Sequence, residues 1–417
     1  MMGRKILALL FGFLVLASAA PLSKAQSGTA TSLNLVILVS DNEADHTLAE
    51  KIAEYLNASV VVTPWGIYDP NVTSEIVARA PDLVLVIGGP NAVVDQYLSD
   101  LQDLGIPYVR RWGANRYKTN LAVLQYLFEN YSELMKNVKV VIVYGEDVTA
   151  IRRAENITGR TIIIYVDEDN FENQTQILNL LNTTAVVIIN TPYSENITER
   201  VRERIREKLN ANVTCENTTI SAEDALLAIQ IAENRTVLAE SLIANTSIPA
   251  AEKLLERAKD HLQEAKEAYN ETKYGKAYGL AIAAKSLAEV VIKMGSEEMQ
   301  VMMHKNETMK LKIQLEKLED IIERLEELGF NVTEEKSLLE QVEQAYDNGN
   351  YELAKQLLAQ LRDMIKTRYH SEKELIRVRW EEKEKHHGEG REHKEENRHG
   401  ERHHEDHHNE SGEENNS

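Results

Sequence analysis

The 417-residue chain contains a single cysteine, Cys215. It therefore cannot close an internal disulfide, and its stability must come from packing and charge pairs. Cys215 is left either to pair between chains or to sit idle. Histidine is almost as scarce between residues 32 and 217, where His46 stands alone, so no His-centred constellation can be assembled there. Positive charge is in deficit: 47 Lys and Arg face 67 Asp and Glu, a net charge of −20. Nucleic acid needs clustered cations, so the balance argues against it as a partner and for solubility and self-repulsion. Catalytic signatures are missing as well. There is no G-x-G-x-x-G after a strand, no Walker loop, no H-E-x-x-H and no G-x-S-x-G. Asp167-Glu168-Asp169-Asn170 lacks the glycine and spacing of a calcium loop. These absences predict a protein that is not an enzyme, and a catalytic site of unrecognised type is the alternative they leave.

The first residues have the parts of an export signal. Arg4 and Lys5 are followed by a nearly unbroken apolar run over residues 6–20, and Ser23-Lys24-Ala25 before Gln26 fits a small-x-small cleavage site. The run is shorter than the ~20 residues that span a bilayer. A signal peptide over residues 1–25 is expected, and with it a secreted or cell-surface location. Abundant Glu, Lys, Arg and Ile beside so little Cys resembles a heat-adapted proteome and points to an archaeal source.

Asn-x-Ser/Thr, the acceptor of N-linked glycans, occurs far too often for chance. Acceptors stand at Asn57, Asn71, Asn130, Asn156, Asn173, Asn182, Asn196, Asn212, Asn217, Asn234, Asn245, Asn270, Asn306, Asn331, Asn409 and Asn415. These are 16 of 30 Asn, and with 42 Ser and Thr in 417 residues random placement would give about three. A shared preference of Asn and Thr for turns does not inflate coincidence fivefold. The chain is expected to be a glycoprotein, with these positions on its outer surface.

Residues 32–217 alternate apolar runs with amphipathic stretches. Residues 33–39, 60–63, 83–87, 108–110, 138–144, 161–166 and 185–190 read as short strands, rich in β-branched residues. Residues 48–56, 73–80, 92–104, 175–181 and 196–209 read as helices between them. This rhythm predicts an α/β fold with parallel sheets built from βαβ units, divided into units at 32–130 and 137–217. From residue 221 to 384 the pattern is helical, opening on the capped start Ser221-Ala222-Glu223-Asp224. Two A-Y-x4-Y-x2-A stretches, Ala268-Tyr269 to Ala277 and Ala345-Tyr346 to Ala354, each flank a turn, as in the helical hairpins of tetratricopeptide-type proteins. Leu311, Leu315, Leu318, Ile322 and Leu325 follow a 4-3-4-3 spacing that suits either a short coiled coil or packing inside the same bundle.

One passage is more specific. Val84-Leu85-Val86-Ile87 runs into Gly88-Gly89-Pro90-Asn91-Ala92-Val93, and about twenty residues later comes Arg111-Trp112-Gly113-Ala114-Asn115-Arg116-Tyr117-Lys118-Thr119. This pair resembles the second type of bacterial and archaeal cell-wall-binding repeat. Its pattern is a strand, a G-G-P-x-A-V turn and an R-x-x-G-x-(N/D)-R-Y-x-T element. The match spans about residues 33–125. A degenerate second copy lies over about 138–213, where Val141-Ile142-Val143-Tyr144-Gly145-Glu146 resembles the opening strand and Asn190-Thr191-Pro192 replaces the glycine turn. The resemblance implies attachment to an anionic polymer of the cell envelope, with Gly88, Gly89, Pro90, Asn115, Arg116, Tyr117 and Thr119 as the matching ligand-binding positions. Two readings stand beside it. Arg110, Arg111 and Arg116 form a basic cluster able to grip phosphate or carboxylate. Alternatively the glycines make a turn, and Arg116 and Tyr117 tie the next helix to the sheet.

Residues 385–417 hold almost nothing apolar and are expected to be a disordered tail. It carries His386, His387, His393, His399, His403, His404, His407 and His408, which could hold Zn, Ni or Cu loosely. No other cofactor is expected. The sequence predicts a non-catalytic surface protein that binds an envelope polymer or a surface-layer protein, with helix-mediated self-association also open. Extracellular metal capture by the tail is the alternative.

Overall fold

The computed structural model describes residues 33–402 apart from 137, 168–176, 180, 182–184, 210, 211 and 245–247. The expected signal peptide, residues 175, 176 and 180 of the expected 175–181 helix and the stretch 168–170 lie outside these residues. So do acceptors Asn173, Asn182, Asn245, Asn409 and Asn415 and tail residues His403, His404, His407 and His408.

The predicted α/β region is present as two four-stranded parallel sheets. The first runs β1 (Leu35–Ser40), α1 (Glu43–Leu56), β2 (Ser59–Thr63), α2 (Pro70–Arg79), β3 (Leu83–Ile87), α3 (Asp95–Leu104), β4 (Tyr108–Arg111) and α4 (Arg116–Asn130). The second has β5 (Lys139–Tyr144), α5 (Val148–Glu155), β6 (Thr161–Val166), β7 (Ala185–Asn190), α6 (Glu195–Leu209) and β8 (Asn212–Asn217). Strand orders are β2-β1-β3-β4 and β6-β5-β7-β8, so both sheets place their second strand outside the first and the third on the other side. This is the same unit built twice. β8 was not legible in the sequence. Its one buried residue is Val213, because an edge strand with one side in solvent has no need of an apolar run.

Side chains alternate across the first sheet. Leu35, Ile37, Val39, Leu85 and Ile87 pack with α1, α4 and the second sheet. Val36, Leu38, Val84 and Val86 face α2 and α3. Beyond α3 lies a surprise. The helical region consists of α7 (Ala222–Ile243), α8 (Pro249–Asn270), α9 (Tyr274–Lys305), α10 (Glu307–Glu327), α11 (Thr333–Asp347) and α12 (Tyr351–Arg402). It is not a separate module, because α10 lies along α2 and its Leu311, Leu315, Leu318, Ile322 and Leu325 are buried in the same core as the first sheet. The 4-3-4-3 spacing is thus a packing stripe on the α/β unit, α11 and α12, and the coiled-coil expectation does not hold. Ser221 closes a capping box with Asp224. Both A-Y turns join antiparallel helices as expected, with Tyr269 against Tyr274 and Tyr346 against Tyr351, each pair 5.5 Å apart. α12 continues to Arg402, through the first half of the stretch expected to lack structure. Among the described residues no helix is long and apolar enough to cross a membrane.

Candidate functional site

In an open parallel sheet, ligands bind beyond the carboxyl ends of the strands, where the chain switches direction across the sheet. In the first sheet that point lies between β1 and β3. A cavity of about 360 Å3 opens there, lined by the turns after all four strands, by Glu146 of the second unit and by Lys293 of α9. Gly89, Pro90, Asn115, Arg116, Tyr117 and Thr119 all line it. The structure therefore brings the two motifs of the sequence together around one space.

Their roles there are largely architectural. Gly88 has φ +122°, which a side chain would strain, and it stands behind the cavity wall. Gly89 leaves room for Trp112, since a Cβ there would sit 2.7 Å from the indole Cε3. Asn115 caps α4 by accepting the amide of Lys118 at 3.0 Å. Thr119 accepts the amide of Gly113 at 3.1 Å. Tyr117 is buried against Gly145, which must be glycine because a Cβ would meet the ring Cε1 at 2.7 Å. Arg116 donates to the Gly145 carbonyl at 2.9 Å and to Glu289 Oε2 at 2.9 Å, and pairs with Glu146 at 3.3 Å. It is a tie between the two units and α9.

The basic cluster expected to grip anions is spent in the same way. Arg110 donates to the Gly88 carbonyl at 2.8 Å and to the Val93 carbonyl, and pairs with Asp95. Arg111 lies over the Tyr126 ring at 4.6 Å. What remains around the cavity is acidic and aromatic: Asp45, Glu146, Trp65 and Trp112. Lys293 stands exposed at the rim.

Beneath the cavity lies a charge cluster that sequence reading missed. Lys285 and Glu289 of α9 pair at 2.7 Å, and Lys285 reaches Glu43 at 3.1 Å. Arg235 of α7 binds Asp41 at 2.9 and 3.0 Å. Burial pushes the Glu289 carboxyl up, but Lys285 and Arg116 outweigh it and hold the group at about 2. Burial likewise opposes the charge of Arg116, which Glu289 and Glu146 nevertheless raise further. Asp45 has no such support. Burial, against a pull from Arg116, lifts it to about 6, with Glu289 and Glu43 adding to the rise. Its Oδ1 is buried without a hydrogen-bond partner, as is Glu146 Oε2. Burial also raises Glu146, opposed by Arg116. A signal for these residues existed. Asp45 falls on the same face of α1 as Leu48, Ala49 and Ile52, and Lys285 and Glu289 interrupt an apolar face of α9 at an i, i+4 spacing.

No three metal-ligating side chains converge among the described residues. His386, His387, His393 and His399 lie on the last part of α12, where side chains are not described. Cys215 is exposed on β8, 3.8 Å from Arg202.

No family model matches the sequence. The chain is 36% identical over 188 residues to an uncharacterized protein of Methanocaldococcus jannaschii, a match covering 43% of this chain. The chain spans about half the length of that relative, 53% of which is aligned.

Proposed function

We propose that this chain is an exported, N-glycosylated, non-catalytic cell-surface protein that binds a polymer of the cell envelope at the carboxyl-edge cavity of its first α/β unit. One observation carries the reading. Among the described residues every acceptor Asn is exposed: Asn57, Asn71, Asn130, Asn156, Asn196, Asn212, Asn217, Asn234, Asn270, Asn306 and Asn331. Asn outside acceptor triplets is mixed: Asn42, Asn120 and Asn190 are buried and Asn34 and Asn91 half-buried, while Asn115, Asn179, Asn348 and Asn350 are exposed. A glycan needs an open site, and a selection for attachment would sort the Asn in this way. Asn42, Asn91 and Asn115 line the cavity, and none begins an acceptor triplet. The mouth is thus free of attachment points on its own walls. The duplicated strand order supports the resemblance to a cell-wall-binding repeat with two copies.

Mass spectrometry of glycopeptides from native cells tests the first half, and co-sedimentation of the full chain with purified envelopes tests the second. Modified acceptors and a pelleted chain are expected. A cytoplasmic chain with bare acceptors would overturn the reading. A fragment ending near residue 213 is unsuitable, because removing α10–α12 strips the first unit of the helices buried against it.

A further inference from the structure

We infer that the cavity takes an uncharged, hydroxyl-rich sugar ring stacked on Trp112, and not a phosphate- or carboxylate-bearing segment. The inference rests on the proposed envelope-binding role and names the chemistry of the ligand.

Three features of the cavity converge on it. The first is a shortage of cations. Arg116 lines the cavity but is committed to Glu289 and the Gly145 carbonyl, and Arg110 and Arg111, outside the lining, are committed to the Gly88 carbonyl and the Tyr126 ring. Among the described residues lining the cavity, Lys293 is the cation without such a commitment, and it is exposed. The second is a surplus of acceptors. Asp45 is 7% exposed and lines the cavity, with one carboxyl oxygen lacking any donor. Glu146 adds another. Neither of these oxygens is itself open to the cavity, but the two carboxylates give that wall negative charge and acceptor character, which favours a hydroxyl donor. An anion would instead bring a like charge against these groups. The third feature is aromatic. Trp112 is 49% exposed and is held over the bare backbone of Gly89. Trp65 lines the same space, with Arg235 5.7 Å from its ring centre. A large flat apolar face beside polar acceptors matches a sugar, whose ring presents C–H bonds on its faces and hydroxyls at its edge. The cavity volume of about 360 Å3 is near the lower limit for ligand sites and suits one or two rings.

The contrast with the second unit sharpens the assignment. Its equivalent point, between β5 and β7, is closed by Tyr278, which donates to Asp147 at 2.8 Å, and by Tyr193 packed edge-on against it at 5.5 Å. The first unit is therefore the receptive one.

The test uses full-length glycosylated protein, with tryptophan fluorescence and calorimetry as readouts. One arm takes neutral hexose and N-acetylhexosamine oligosaccharides, including those released from the wall polymer. A second takes N-linked glycopeptides cleaved from surface proteins, which separates the two sources of such a ring. A third takes polygalacturonate and poly(glycerol phosphate). Saturable binding is expected in the first or second arm, unchanged by 0.5 M NaCl. Trp112→Ala should weaken it at least tenfold, and Trp112→Phe should restore most of it. Binding confined to the anionic polymers and abolished by salt would overturn the inference while leaving the envelope role standing. Sedimentation with envelopes but no response to any probe would overturn it too. A chain that fails to sediment would sink the envelope role itself.

Discussion

Tyr278 Oη of α9 donates to Asp147 Oδ1 at 2.8 Å and accepts the amide of Thr149 at 3.0 Å, so a helix from outside the sheet closes the carboxyl end of the second unit. Asp147 is fully buried and also accepts Ser194 Oγ at 2.7 Å and Thr191 Oγ1 at 2.5 Å. Every position in this network is filled from within the chain. In the first unit the corresponding helix cap is Asn42, and the space beside it is open. One duplicated scaffold thus has one satisfied end and one unsatisfied end.

Tyr278→Phe should test the closed end. The substitution keeps the ring and removes the hydroxyl, leaving a buried carboxylate oxygen and the Thr149 amide each short of a partner. A loss of about 2–4 kcal/mol is expected in urea unfolding, since hydrogen bonds to charged groups are the stronger kind. A change below half a kcal/mol would mean that water replaces the hydroxyl.

The open end should show the opposite sign. Asp45 is raised from 3.8 to about 6. Between those values the native state binds more protons than the unfolded chain, so stability falls as pH rises through the window. Above it the ionised, unpartnered carboxylate is a constant burden. Asp45→Asn is therefore expected to stabilise the protein at pH 8, by up to about 3 kcal/mol, and the gain should shrink towards pH 4. Unfolding midpoints of both proteins at the two pH values decide it.

The sequence announced the architecture better than the site. Strands such as residues 83–87 were legible because burial on both faces demands continuous Val, Ile and Leu. Helix starts were legible where a cap marked them, as at Ser221. The glycine turn and the Arg-Tyr element were visible as a pattern, with a ligand-binding and an architectural role both open. Arg116 read either as part of an anion-gripping cluster or as a tie between helix and sheet, and the fold shows a tie, to Glu289, 173 residues away. Asp45 and Lys285 drew no reading, because charge patterning says nothing about which face a distant helix covers. The same blindness separated the helical region from the α/β region, when its leucine stripe in fact lies on α2.

That union makes a prediction. Lys317 of α10 is buried with Asp100 of α3 at 2.8 Å, and Asp100 also accepts Tyr68 at 2.6 Å and Thr73 at 3.0 Å. Lys317→Met should cost about 3–5 kcal/mol by leaving a buried carboxylate without its counter-charge. Adding Asp100→Asn should recover a large part of the loss, because the orphaned charge goes with it. Strand and helix signals should disappear in a single transition in each variant. Two separate transitions would show that α10–α12 fold independently of the first sheet.

Glu289 gives the sharpest electrostatic test, since it is the shared counter-charge of Lys285 and Arg116. Its carboxyl is lowered from 4.5 to about 2. The stabilisation it contributes is complete above the unfolded value and is lost as pH falls through the folded one. Glu289→Gln leaves two buried cations facing a neutral amide, and a loss of about 3–5 kcal/mol is expected at pH 7. As pH drops below 4.5 the unfolded chain takes up a proton that the native carboxylate still refuses, so the stabilisation shrinks and the two unfolding midpoints should converge. A gap that stays constant between pH 7 and pH 3 would place the effect in packing instead, and would remove the charge cluster as the reason Arg116 is unavailable to a ligand.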